Sequence, residues 1–258
     1  MGAAMNLGAY DHYGYAFVAV AGTFLSAWML QWAMSRPRHA AFLASIRGVV
    51  PPFINIIGVL FALTLAFLAN DTWSAHDRAM NAVYREADSL RSIVALAGKL
   101  PEAQRGRVRA AVADYADAAA RVEWPLLGKR ESSPLATDRL DALLAVISAD
   151  EVAAGAGASV HALMLKQATE ARDSRDQRIA LSKTHVNPLK WLGMAFLGFL
   201  TMLSVAAVHA DNIRAAYVAI LLFAASAAPT AAIVLVQGNP FQQPTAVSPA
   251  PIAALAGP

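Results

Sequence analysis

The stretch Phe53–Leu90, FINIIGVLFALTLAFLANDTWSAHDRAMNAVYREADSL, begins as hydrocarbon and ends as a charged, water-seeking helix. After Gly58 it contains neither glycine nor proline. It reads as one helix that leaves a membrane without stopping. Pro51 and Pro52 open it, at a position where a missing N–H costs little.

Composition agrees with a membrane protein. The chain has 258 residues, of which 57% are hydrophobic and 15% charged, against about 25% charged in an ordinary soluble domain. The apolar runs Tyr13–Met34, Val49–Asn70, Leu189–His209 and Ala215–Val236 each approach the roughly 20 residues that cross a bilayer. The first is not read as a signal peptide. No Lys or Arg precedes it, and Trp28 and Trp32 stand where a small-residue cleavage site would be. Tyr10, Tyr13 and Tyr15 suit an interfacial belt. The net charge is only +3, with no long basic run, so nucleic acid is not an expected partner. The absence of Cys excludes disulfides and thiol catalysis.

Between the second and third spans the pattern is polar and helical. Met80, Val83, Ala87, Leu90, Val94 and Ala97 form one apolar seam at helical spacing. Val108, Val112, Tyr115, Ala119 and Val122 form a second. EWPLLGKRESSP, from Glu123, reads as a loop, and Thr137 as the N-cap of a helix bearing Leu140, Leu143, Leu144 and Ile147. GAGA, Gly155–Ala158, should break the chain before a last helix from Ser159 to His185. Asn187 and Pro188 read as N-cap and first residue of the third span.

The expected fold is an all-α membrane protein. Four transmembrane helices carry a helical extramembrane bundle continuous with helices two and three. Residues 1–70 form the first transmembrane pair, 71–187 the bundle, 188–236 the second pair and 237–258 an extended Pro-rich tail with little regular structure.

Short loops vote on orientation. Arg36, Arg38 and Arg47 in the first loop and Arg214 in the last place those loops in the cytoplasm. The termini and the bundle then lie outside, in the periplasm of a bacterial inner membrane. Arg78, Arg85, Arg172, Arg175, Arg178, Lys183 and Lys190 vote the other way, but long domains count for little in this rule.

The second span has two sides. Asn55, Val59, Ala62, Ala66, Ala69, Asn70 and Trp73 form a mostly small side, and Ala62 and Ala66 would let another helix approach. Phe53, Ile57, Leu60, Phe61, Thr64, Phe67, Leu68 and Asp71 form a bulky side. Two readings of the bulky side stay open. It faces lipid, or it lines a pore in a ring of subunits. In the second case Ile57, Leu60 and Phe61 make a hydrophobic constriction, and Phe67 also lines the pore. Thr64, Asp71, Arg78 and Arg85, spaced by seven, add hydroxyl, acidic and basic layers.

Other candidates have plainer explanations. Ala224, Ala228 and Ala232 form a helix-packing stripe in the fourth span, which Pro229 should kink. His12, His39, His76, His161, His185 and His209 are scattered without metal-ligand spacing, so no metal site is expected. Glu86, Asp88, Asp114, Asp117 and Glu123 are explained by solvated faces and i,i+4 pairs. With no nucleophile motif and no phosphate loop, neither an enzyme nor a cofactor is expected. Trp124 packs the bundle or makes an intersubunit contact.

Three blocks in order give the chain a family likeness. They are NDTWSAHDRAMNAVYREADSL with Trp73, Glu86, Ala87 and Leu90, and LAGKLPEAQRGRVRAAVADYADAAARVEWP with Pro101, Arg107, Tyr115 and Glu123-Trp124-Pro125. The third is NPFQQPTAVSP with Pro240-Phe241 and Val247-Ser248-Pro249. The chain resembles the bestrophin-like family of bacterial four-span membrane proteins, with Asn239 standing where a basic residue is usual. The resemblance implies distant similarity to bestrophins, which are pentameric anion channels. It favours a homo-oligomer, with a pentamer first, that passes monovalent ions, chloride among them, across the lipid bilayer. The competing reading is a non-conducting adaptor or scaffold whose bundle binds a protein partner.

Overall fold

The computed structural model describes residues 11–46, 48 and 50–257. Among them all regular structure is helical. The protein is an all-α membrane protein in which four helices are long and apolar enough to span a bilayer. Tyr10, Arg47 and Val49, used above for the belt, the first loop and the second span, lie outside the described residues. The chain forms two compact units. The spanning unit runs up to Trp73 and resumes over His185–Gly238; the bundle unit holds Ser74–Thr184 and the segment from Asn239 onward.

In the spanning unit, α1 covers Asp11–Met34 and α2 covers Pro37–Ile46, a helix where the sequence reading had only a loop. Helix α3 runs Val50–Leu96 without a break, 47 residues, more than twice what a crossing needs. Its first part belongs to this unit. The other spans are α9, Pro188–Val208, and α10, Ile213–Val236, with α4 to α8 described below. Asn187 caps α9 by accepting from the Leu189 and Lys190 N–H groups, and Asn212 caps α10 through Ala215 N at 3.1 Å.

Small residues fill the interior of this unit and large ones face outward, as expected where lipid replaces water. Ala27, Leu30 and Met34 of α1 meet Ala206 and Ala207 of α9 and Ala216, Ile220 and Ala224 of α10. Phe17, Leu25, Phe67, Phe196 and Leu222 are exposed. Helix α10 carries Pro229 without ending, while Ser226 and Thr230 donate to the carbonyls of Phe223 and Ser226. One end of the unit is tied by polar contacts. His185 Nδ1 meets Asp11 at 3.2 Å, Lys190 Nζ meets Asp71 at 2.7 Å, and Trp73 Nε1 donates to Gln237 at 2.9 Å. At the other end the Tyr217 hydroxyl bridges Ser35 and the Gln31 carbonyl.

In the bundle unit, the rest of α3 packs with α4, Glu102–Asp117; α5, Trp124–Leu127; α6, Pro134–Ser148; α7, Asp150–Ala156; and α8, Ala158–Ser182. Of the loop expected from Glu123, residues 128–133 are turn and coil, but Glu123–Leu127 are helical: a π-helical turn over Ala118–Glu123 joins α4 to α5. The N-cap of α6 is Ser133, which accepts from Ala136 N, and not Thr137, which lies one turn inside. Gly157 separates α7 from α8 at φ +76°, a conformation that L side chains rarely adopt.

The tail is corrected as well. It is not a free extension but part of the bundle core. Phe241, Val247 and Ile252 are buried, and a short helix α11 covers Ala250–Ala253. The buried Asn239 side chain donates to the Leu127 carbonyl and accepts from Phe241 N. A side chain at Gly128 would meet the Phe241 carbonyl at 3.2 Å, so this close approach favours glycine.

Candidate functional site

Helix α3 decides which residues are available to a pathway. In its spanning part the chain buries Leu68 and Ala69 and half-buries Ile57, Phe61, Thr64 and Leu65. Phe61 stacks on Phe223 of α10 with ring centroids 5.4 Å apart, and lies where a Gly198 side chain would sit. Leu60, Phe67 and Asp71 are exposed, along with Phe53, Ile56 and Leu63. The bulky side is therefore split between the chain's own interior and its surface. Ala62 and Ala66 are exposed and do not supply the intrachain packing side, which is centred on the Phe61 and Leu68 flank. In α10, Ala224 and Ala228 are buried and Ala232 half-buried. Asp71 is already paired with Lys190, which offsets much of its field. In the bundle unit, Arg78 is exposed and Arg85 donates to Gln177 at 2.9 Å.

The bundle core holds a second concentration of chemistry. Glu86 of α3 and Glu123 of the π-helical turn are fully buried, contrary to the solvated faces expected of them. Arg178 of α8 grips Glu86 with Nε and Nη2, at 2.9 and 3.0 Å, and its Nη2 lies 3.1 Å from Glu123. Arg175 grips Glu123 at 2.6 and 3.1 Å and also donates to Thr137. The Tyr115 hydroxyl donates to Glu86, and Ser133 N donates to Glu123. The four side chains carry two charges of each sign and cancel. This is the condition under which buried ions are tolerated.

Electrostatics follow from that closure. Burial alone would raise the Glu123 carboxyl. The Arg175 hydrogen bonds and the charges of Arg178 and Arg175 outweigh it and hold the group below the ordinary carboxylate range. Burial opposes charge on Arg178, but Glu86 and its other partners raise it above the usual arginine value. Burial pushes the Tyr115 phenol well up, and neighbouring Glu86 pushes it further. The Arg178 guanidinium also lies 5.0 Å from the centre of the Trp124 ring. Trp124 in turn meets Phe241 edge-on at 5.5 Å and donates to the Val247 carbonyl at 2.9 Å. Trp124 thus packs its own bundle and couples the ionic core to the tail.

The π-helical turn explains why the sequence reading missed Glu123. The Trp124 N–H bonds to Ala119 O, one residue further back than in an α-helix. That extra residue rotates the helix, turning Glu123 inward and leaving Val122, the expected end of the seam, exposed. A signal for the arginines did exist. Met164, Ala168, Ala171, Arg175, Arg178 and Ser182 share one buried helical face. Two arginines in register with small apolar residues point to an interior, not to a membrane edge.

Among curated proteins and among solved structures, none matches the chain. The model of the Bestrophin-like domain matches residues 21–252, nearly the whole of both units. The chain therefore belongs to the Bestrophin-like family.

Proposed function

We propose that the protein is a homo-oligomeric, anion-conducting channel of the bacterial inner membrane, with bundle and termini in the periplasm. The exposed flank of α3 lines its pathway. The observation that carries this reading is the run of outward side chains on one unbroken helix. Phe53, Leu60 and Phe67 recur every seven residues in the span, and Arg78 and Arg85, themselves seven apart, are exposed further along the same helix. Family membership supports it, since bestrophins conduct anions. Ile57, Phe61 and Thr64 sit at the margin of this flank, with Phe61 committed to its own chain. Pairing of Asp71 with Lys190 leaves the two arginines to set the sign of the preferred ion.

The test is ion flux and reversal potential in proteoliposomes under a salt gradient, with particle stoichiometry measured on the same sample. Asp71→Asn should raise anion over cation permeability, and Arg78→Glu should lower it. Unchanged reversal potentials in both variants would remove α3 from the pathway. A particle without flux would leave the adaptor reading.

A further inference from the structure

The spanning unit contains a half-open apolar groove of about 480 Å³ between α1 and α9, floored by α10. It extends from Tyr15 to Ser26 on α1, from Pro188 to Met202 on α9 and from Leu235 back to Phe223 on α10, with Phe61 of α3 also lining it. Eleven to fourteen helical steps correspond to about 16–21 Å. That is somewhat more than half of the ~30 Å hydrocarbon thickness, about one leaflet and its interface. The aromatic residues Tyr15 and Trp191 lie near the outer end, and both are amphipathic in the way interfacial positions favour. Lys190, adjacent to Trp191 and with its side chain 56% exposed, spends one contact on Asp71 and keeps further N–H groups for a phosphate. Deeper in, Thr23 satisfies its hydroxyl on the Ala19 carbonyl, and the groove is mainly apolar down to Ser26 at its inner end.

We infer that this groove holds one acyl chain of a phospholipid, with the headgroup at Tyr15, Trp191 and Lys190. A single hydrocarbon chain matches the length of the groove and is thin enough to lie in it; a helix of a second copy is the competing occupant. The inference does not depend on conduction.

Gly22 gives the test. It lines the groove, and no heavy atom lies within 4 Å of where its Cβ would sit, so Gly22→Phe puts a ring into the groove from an open backbone position. Gly14→Phe, equally open but outside the groove, is the control. Purified protein is given palmitoyl-oleoyl phosphatidylglycerol and weighed by native mass spectrometry. The wild type and Gly14→Phe should retain about one lipid per chain and Gly22→Phe none. A phosphatidylglycerol with a photoreactive acyl chain should label α1, α9 and α10 of the wild type at groove residues. Equal retention in all three proteins, or labelling confined to other surfaces, overturns the inference. So does a Gly22→Phe variant that changes oligomeric state while keeping its lipid, since a neighbouring copy would then occupy the groove.

Discussion

Replacing Arg178 by Met tests the ionic core of the bundle. The arginine is fully buried and bonds Glu86 at 2.9 and 3.0 Å, with Glu123 at 3.1 Å. Methionine fills part of the space but supplies no donor. Glu123 keeps Arg175, whereas Glu86 keeps only the Tyr115 hydroxyl. One carboxylate is then buried without a counter-charge, which costs about 3–5 kcal/mol. At roughly 2–4 °C per kcal/mol for a chain of this size, the melting temperature should fall by about 10 °C. Thermal unfolding in detergent, followed by tryptophan fluorescence, measures it. Lys166→Ala is the comparison, since its pair with Glu170 lies exposed on the same helix and should contribute about 0–1 kcal/mol. One further readout separates charge from packing. Adding Glu86→Gln should recover part of the loss, because the stranded charge is gone. An Arg178→Met variant no worse than Lys166→Ala, or one that Glu86→Gln does not improve, would refute the reasoning.

Trp124→Phe removes the bond to the Val247 carbonyl and should cost about 1 kcal/mol, seen as faster proteolysis of the tail after Asn239. Ala224→Leu overfills a fully buried contact and should cost about 1–3 kcal/mol in thermal unfolding. The pH dependence has two arms. Glu123 titrates lower in the folded protein than unfolded, so its contribution is complete above the unfolded value of about 4.3 and is lost as pH falls through the folded one. Tyr115 titrates higher when folded, so its contribution is complete below about pH 10 and is lost as pH rises further. Glu123→Gln should flatten the acid arm and Tyr115→Phe the alkaline arm, as measured by melting temperature against pH.

The spans were legible because each is a long apolar run, and length alone separates such runs from core helices. The continuity of α3 was legible because nothing from Val59 to Leu90 breaks a helix. The ionic core was hidden for three reasons. Glu86 lies on an apolar seam, where a single acid reads as the edge of a solvated face. Glu123 reaches the interior only through the π-helical turn, a register shift that periodicity does not carry. The arginines are partnered across wide gaps, Arg178 with Glu86 and Arg175 with Glu123, and pairing at such range is set by tertiary packing. The tail was misread because Pro and Gly richness also describes a strap that packs onto a core, as this one does through Phe241, Val247 and Ile252. Within α3, the wheel separated large from small residues, but size does not say which side meets α9 and α10.

Burial of Phe241 and Val247 against Trp124 has a topological consequence. The polypeptide leaves the bundle after Thr184 and rejoins it at Asn239, so it must cross the bilayer an even number of times between those points. Helices α9 and α10 supply two crossings, which excludes any arrangement in which only one of them is inserted. A compartment-sensitive reporter fused to the carboxyl end would therefore disclose the address of the bundle itself, whichever way the arginine-bearing loops have oriented the chain.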